Sequence, residues 1–211
     1  MPHATYSLDP RPSVPWLAAA ALLGEVAACA SLDPTPPRSP PAEPGDAEGA
    51  AFVKAAMPAS LTKQGLAKGL THESGLVRSA TLTLLLRVLC AVRVRVARLD
   101  EAAVAAESTS GGENGASQSN AQSTAFTQLA QRARGAALAV LPDPQALLAV
   151  LATKNASEAG ESNESLENRI HALNALAEYC ELVGPEGVAA ANIDPCPLYP
   201  SDPADEETGG D

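Results

Sequence analysis

Histidine and cysteine, which often bind metals or act as bases and nucleophiles, are scattered along this chain of 211 residues. Its three histidines stand in three separate segments, and none has a partner at the spacing that metal ligands need. The four cysteines are also far apart, so their spacing fits neither a zinc site nor a redox pair. These cysteines are Cys29, Cys90, Cys180 and Cys196. We expect them to be reduced, intracellular thiols.

The sequence also lacks the patterns of a catalytic site. Gly111 and Gly112 lie in a polar stretch with no strand before them, so they do not predict a phosphate-binding loop. No strand–turn–helix context supports a nucleophilic serine, and the carboxylates concentrate in the tails. A catalytic site needs a nucleophile or base held by a rigid neighbour. We therefore expect a non-enzymatic protein with no catalytic residues, no metal and no cofactor.

One stretch, Thr71–Leu99, predicts a single long helix on which the rest of the chain depends. Large apolar residues recur along it at intervals of three and four, which places them on one helical face. We expect this face to be core: Leu82, Leu85, Leu89, Val92, Val96 and Leu99. Further leucines and valines widen the apolar surface beyond one stripe, so the helix needs neighbours on more than one side.

The same helix carries several arginines. Arg87, Arg95 and Arg98 fall together away from the apolar face, and we predict that they face a partner. The alternative is a solvated helix face without a binding role. The net charge of −11 and the isoelectric point of about 4.7 argue against a protein whose main role is non-specific phosphate binding. An acidic protein or an RNA could each be the partner of these arginines.

The apolar segments allow two membrane-related interpretations. A transmembrane helix within Thr71–Leu99 would place several arginines in or near hydrocarbon, and its uninterrupted apolar run is too short. The segment Trp16–Ala30 ends like a signal-peptidase site and has a lipobox-like sequence at Cys29. However, no cluster of positive charge precedes it, and Glu25 interrupts its apolar run. We predict a helix there and no membrane contact, with a secreted or lipid-anchored protein as the alternative.

A short helix, a tight turn and a long apolar helix follow one another over Pro58–Leu99, an order typical of HEAT and armadillo repeats. Gly69 is suited to the left-handed position that ends the short helix. Further helices are predicted over residues 126–141, 145–151 and 166–183. The apolar face of the last one holds Leu166, Ile170, Leu173, Ala177 and Cys180. The sequence thus predicts an all-α, HEAT/armadillo-like α-solenoid segment whose units bury their faces on one another.

Composition divides the chain into a helical-repeat region over residues 16–198 and two tails. Residues 1–15 are predicted to be disordered, and residues 199–211 form an acidic, disordered tail. Three insertions within the repeat region are also expected to be disordered, because they are rich in proline or lack large apolar residues. They cover about residues 31–49, 107–124 and 154–163.

Several short sequence blocks resemble, in the same order, the N-terminal region of the nucleolar pre-ribosomal-associated proteins. The blocks are Pro58–Leu61, Leu66–His72, Leu76–Arg78, Thr81–Leu85, Leu141–Pro144, Tyr179–Glu186 and Ile193–Asp194. The resemblance covers about residues 16–198. Members of this family are very large helical-repeat scaffolds that act in early assembly of the large ribosomal subunit.

The resemblance implies a non-enzymatic scaffold segment in the nucleolus that takes part in 60S ribosome biogenesis and precursor rRNA maturation. It also implies binding to ribosome assembly factors within pre-60S particles, and contact with precursor rRNA either directly or through those factors. The family has no catalytic residues to carry over. The alternative is a generic armadillo-like protein-interaction module, unrelated to ribosomes, in the cytoplasm or nucleoplasm.

Overall fold

The computed structural model describes residues 8–32, 41, 43–108, 116–152 and 163–190. Every regular element in these ranges is an α-helix, which confirms the predicted all-α class. The helices are α1 (Val14–Leu32), α2 (Asp46–Lys54), α3 (Lys63–Leu70), α4 (Gly75–Ser108), α5 (Ala116–Val140), α6 (Pro144–Ala152) and α7 (Asn163–Ala190).

Helix α4 is the centre of the fold. It packs against α1, α3, α5 and α7, while α2 lies on α5 and α6 lies on α7. The six apolar side chains predicted to form its core face are all at most 2% exposed. Adjacent residues are buried as well, namely Leu84 with Leu85 and Val88 with Leu89. Because neighbouring residues of a helix point in different directions, these pairs place protein on more than one side of α4.

Helix α4 is also long and apolar enough to cross a bilayer, and so are α5 and α6 if they are taken together as one span bent by 51°. Length and composition alone do not identify a membrane span, because the core helix of a soluble protein can have the same length and composition. Half of the most apolar window of α4 is buried inside the fold. We therefore interpret α4 as a packed core helix.

The polar stretch predicted as a disordered insertion over residues 107–124 is in part helical, because α5 already begins at Ala116. The Ser123 hydroxyl of α5 donates a hydrogen bond to Glu107 Oε1 at 2.8 Å, which joins α5 to the end of α4. Extending a helix that packing has already nucleated costs little, so alanine, serine and glutamine suffice there. Residues 109–115 lie outside the described ranges.

The segment before α1, for which disorder was expected over residues 1–15, is described from Leu8 onward and contacts two helices. The Trp16 indole N–H donates a hydrogen bond to the Leu8 carbonyl oxygen, with 3.3 Å between the heavy atoms. Lys68 Nζ of α3 lies 3.1 Å from Asp9 Oδ1. A buried tryptophan usually finds a partner for its N–H. These contacts hold a segment whose composition alone indicated disorder.

Two further segments predicted to be disordered overlap helices. Helix α2 begins within the segment 31–49, and α7 begins at the end of the segment 154–163. At the start of α2, Glu48 Oε2 accepts the backbone N–H of Gly45 at 3.0 Å, a local bond that favours helix initiation. The predictions for the remaining segments fall on residues 1–7, 33–40, 42, 153–162 and 191–211, which include the acidic tail. Like residues 109–115, they lie outside the described ranges.

The turn between α5 and α6 caps the N-terminus of α6. Asp143 Oδ1 accepts the backbone N–H of Gln145 at 2.9 Å, and Pro144 is the first residue of α6. The Tyr179 hydroxyl of α7 donates a hydrogen bond to the Pro142 carbonyl oxygen at 3.3 Å. Burial raises the pKa of Tyr179 well above its usual value, and the nearby charge of Asp143 adds to this effect. The buried bond fixes α7 against the start of α6.

Two glycines allow helices to approach closely. Gly69 does not end α3 in a left-handed conformation as predicted but lies within the helix, facing α4. A Cβ at this position would lie 2.7 Å from Thr81 Cγ2. A Cβ at Gly49 of α2 would lie 2.6 Å from the backbone carbonyl carbon of Arg132 in α5. Since real Cβ atoms do not approach other atoms so closely, both helix pairs need glycine to pack as they do.

We expect Gly49→Ala to destabilise the fold by about 1 to 3 kcal/mol, because the new methyl group would overlap the α5 backbone. Gly135→Ala in α5 is the matched control, since nothing lies within 4 Å of its added Cβ. There the higher helix propensity of alanine should raise the free energy of unfolding by about 0.5 to 1 kcal/mol. Urea unfolding followed by circular dichroism measures both changes. Equal effects would contradict the close packing of α2 on α5.

Candidate interaction surface

Two of the three arginines predicted to face a partner contact other helices of this chain. Arg87 Nη1 lies 2.5 Å from Glu25 Oε1 of α1, and the Arg87 side chain is 37% exposed. The guanidinium carbon of Arg95 lies 5.2 Å from the centre of the Phe52 ring in α2, a cation–π contact. Arg95 Nε is buried, and it has no hydrogen-bond partner among the described residues. Arg87 and Arg95 thus lie where α4 meets its neighbours.

The third arginine, Arg98, is exposed and pairs within its own helix. Arg98 Nη1 lies 2.6 Å from Glu101 Oε2, three residues further along α4. Exposed ion pairs of this kind contribute about 0.2 to 1 kcal/mol, so a partner can displace the acid at little cost. Of the three arginines, Arg98 has the exposure that a partner-facing residue needs, and the binding role of all three stays a prediction.

A charged cluster that the sequence did not reveal joins α4, α5 and α7. Arg93 Nε lies 2.5 Å from Glu178 Oε2 and 3.5 Å from Glu181 Oε2, both on α7. Arg134 Nη2 of α5 lies 2.5 Å from Asp100 Oδ2 of α4. The cluster borders a small depression of about 140 Å³. Because Arg93 and Glu178 are 85 residues apart in sequence, only the fold brings them together.

The charges of this cluster compensate one another. The hydrogen bond to Glu178 raises the pKa of Arg93. Burial raises the pKa of the nearby Cys90 thiol, and the charge of Glu178 raises it further. A thiol whose pKa is raised is a poor nucleophile, because little thiolate forms at neutral pH. We therefore interpret the cluster as a contact between helices and not as a reactive site.

A cleft of about 290 Å³ lies between the segment before α1, α1 itself and α3. Trp16 and Leu66 contribute to its apolar wall, and Asp9 and Lys68 are its charged residues. Ligand pockets usually combine an apolar wall with a few polar groups that orient the ligand. Here the two charged residues of the described lining pair with each other, so neither charge is free to orient a ligand.

In the part of the chain that the structure describes, no three His, Cys, Asp or Glu side chains form a group that could hold a metal ion. The described free thiols are the exposed Cys29 and the half-buried Cys90 and Cys180. The two described histidines each have a hydrogen-bonding neighbour within the fold, a backbone N–H for His72 and a threonine hydroxyl for His171. His3 and Cys196 lie outside the described ranges.

The apolar face predicted for α7 points largely to solvent. Leu166, Ile170 and Leu173 are between 46% and 48% exposed, and Ala177 is exposed as well. We call these four residues the α7 stripe. The buried side of α7 includes two small residues; it holds Ala172, Ala175, Leu176, Tyr179 and Leu182. Small side chains such as Ala172 and Ala175 let α7 approach its neighbours closely, and this side of α7 is the one that packs against the rest of the fold.

Comparison of the chain with protein-family models, with curated proteins and with solved structures gives no match. The exposed Arg98 and the α7 stripe are therefore the structural starting points for a function.

The ion pair between Arg93 and Glu178 should stabilise the fold more than an exposed pair does, because the two side chains are only 32% and 21% exposed. We expect a double-mutant cycle with Arg93→Gln and Glu178→Gln to give a coupling free energy of about 1 kcal/mol. The matched control is Arg98→Gln with Glu101→Gln, which should give less than about 0.5 kcal/mol. Urea unfolding measures both cycles. Couplings of equal size would contradict the role of the cluster in holding α4 to α7.

Proposed function

We propose that this chain is a non-enzymatic, HEAT/armadillo-like scaffold segment that acts in nucleolar assembly of the large (60S) ribosomal subunit and in maturation of precursor rRNA. The observation that carries the scaffold part is that corresponding helices of two successive short–long helix pairs contact each other. Among the described helices, a short helix is followed by a long one twice, in α3 with α4 and in α6 with α7. Helix α3 lies against α6, and α4 lies against α7. Such stacking of equivalent helices is typical of an α-solenoid and supports the proposal.

The outer helices α1 and α7 also support a scaffold role. Leu22 of α1 is 65% exposed, and the residues of the α7 stripe are exposed as well. In a solenoid each unit buries its faces on the units beside it, so apolar residues at the outer helices offer places for further protein to bind. Exposed apolar faces of this kind suit a segment that holds other proteins.

The ribosomal part of the proposal rests on the ordered blocks that resemble the nucleolar pre-ribosomal-associated proteins. Leu66–His72 and Thr81–Leu85 fall on the pair of α3 and α4, and Tyr179–Glu186 falls on α7. These blocks therefore coincide with the two stacked helix pairs that support the scaffold role. The location that follows from this resemblance is the nucleolus.

The partners we propose are ribosome assembly factors within pre-60S particles, through which the chain would contact precursor rRNA. Much of the positive charge of the described helices is already paired: Arg87, Arg93 and Arg134 each lie within 2.5 Å of a carboxylate oxygen of the same chain. The net charge of −11 also opposes binding to phosphates. Both observations favour protein partners over direct RNA contact.

A generic armadillo-like interaction module in the cytoplasm or nucleoplasm is the second candidate function. The stacked helix pairs and the exposed α7 stripe support it equally well, because neither feature is specific to ribosome assembly. Cellular location and the identity of the partners separate the two candidates.

The test is to express the tagged chain in eukaryotic cells, to image it, and to identify the proteins and RNA that co-purify with and without RNase. We expect a nucleolar signal and enrichment of pre-60S assembly factors that survives RNase. Leu89→Asp buries a charge in the core and should abolish the enrichment, whereas Val104→Asp, at an exposed position, should leave it unchanged. Non-ribosomal partners outside the nucleolus would instead support the generic module.

A further inference from the structure

A five-residue motif occurs three times in the sequence: leucine or isoleucine, then aspartate, proline, any residue and proline. The first motif covers residues 8–12, the second covers 32–36 and the third covers 193–197. The first two are the most alike, because both begin with leucine and both follow a serine. A surface that binds one of these motifs through its leucine and aspartate can therefore bind another.

The first motif lies in the described structure and shows which contacts such a segment makes. Leu8 packs against the hydrophobic core, and its carbonyl oxygen accepts the indole N–H of Trp16 at 3.3 Å. Asp9 Oδ1 lies 3.1 Å from Lys68 Nζ of α3. Pro10 lines the cleft of about 290 Å³ together with these two residues of the motif. The three leading residues of the motif thus each contact the fold at this cleft.

The first motif is held weakly in the cleft. The Asp9 and Lys68 side chains are 64% and 56% exposed, and ion pairs so exposed contribute little to stability. The motif also does not fill the cleft, since about 290 Å³ stays open beside it. A segment that makes the same contacts can therefore displace the first motif. Displacement frees Lys68 to pair with the aspartate of the incoming segment.

The second motif cannot reach the cleft of its own molecule. Its first residue, Leu32, is also the last residue of α1, whereas Trp16 in the wall of the cleft lies near the start of this helix. At 1.5 Å per residue, Leu32 lies about 24 Å further along the helix axis than Trp16. The cleft of another molecule has no such constraint, and helix ends fray, so Leu32 can adapt to it.

We propose, beyond the proposed function, that the cleft between α1 and α3 binds the second motif of another copy of this chain, which displaces the first motif. Leu32 of the incoming chain takes the place of Leu8. Its Asp33 takes the place of Asp9 beside Lys68. The two surfaces in contact differ, so the contact joins copies head to tail. The first motif limits this assembly, because its attachment next to the cleft gives it an effective concentration in about the millimolar range.

The first test uses the purified full chain and a fluorescently labelled peptide that copies residues 31–37, which contain the second motif. Fluorescence anisotropy at physiological salt measures the binding. A control peptide with Leu32→Ser should bind at least about tenfold more weakly, because it lacks the apolar anchor. A peptide with Asp33→Asn should bind about threefold more weakly. That difference should vanish in the chain variant Lys68→Gln, which lacks the pairing lysine.

Variants of the chain show whether the first motif competes with the peptide. Leu8→Ser weakens the hold of the first motif and should raise the affinity for the peptide at least about fivefold. The matched control is Leu22→Ser, at a 65% exposed position of α1 outside the described lining of the cleft, and it should leave the affinity unchanged. Circular dichroism checks that both variants retain the fold. A purely structural role of Leu8 would not produce a gain of affinity.

Sedimentation velocity shows whether whole chains use the same contact. Leu8→Ser should increase self-association above that of the wild type, because the cleft is then more often open. Adding Leu32→Ser to this variant should reverse the increase, since the incoming motif loses its anchor. Self-association that the two substitutions together leave in place would put the interface elsewhere and overturn the proposal.

Failure of the peptide to bind both the wild type and Leu8→Ser would also overturn the proposal. Equal affinity for the peptide and for its Leu32→Ser form would do so as well. Tighter binding of a peptide that copies the third motif would make that segment the occupant, contrary to the proposal. These outcomes do not depend on cellular location or on ribosomal partners, so they are distinct from failure of the proposed function.

Discussion

Helix α4 is apolar around most of its circumference, and the need to cover it determines how the other helices are arranged. Full burial of a leucine or valine side chain contributes about 1.5 to 3 kcal/mol, so leaving a whole face of α4 in water would be costly. Helices α1, α3, α5 and α7 all pack against it. The short helices α2 and α6 then lie on α5 and α7.

The same enclosure explains where α4 places its positive charges. Arg87, Arg93 and Arg95 lie where α4 meets α1, α7 and α2, and each guanidinium contacts an acid or an aromatic ring of the neighbouring helix. Long arginine stems can pack along apolar surface while the charged group reaches the edge of the contact. These arginines connect helices of the chain to one another, whereas the residues of the α7 stripe are exposed to solvent.

Much of the helical organisation could be predicted from sequence, because apolar spacing and helix capping are local. The face of α4 selected by spacing is buried, and the predicted helix over residues 145–151 lies within α6. Spacing does not reveal which face of a helix its neighbours cover. On α7 the regular leucines are exposed, whereas the side with Ala172 and Ala175 is buried. The pairing of Arg93 with Glu178 joins distant parts of the chain, so no local pattern contains it.

The most direct test of the enclosure of α4 is the cost of truncating a buried residue and an exposed residue of the same helix. Leu85 is fully buried, whereas Val104 is 63% exposed. Leu85→Ala should lower the free energy of unfolding, measured by urea titration, by about 2 to 5 kcal/mol, because it leaves a cavity in the core. Val104→Ala should change it by less than about 0.5 kcal/mol. A small cost for both substitutions would contradict the enclosure of α4 by its neighbours.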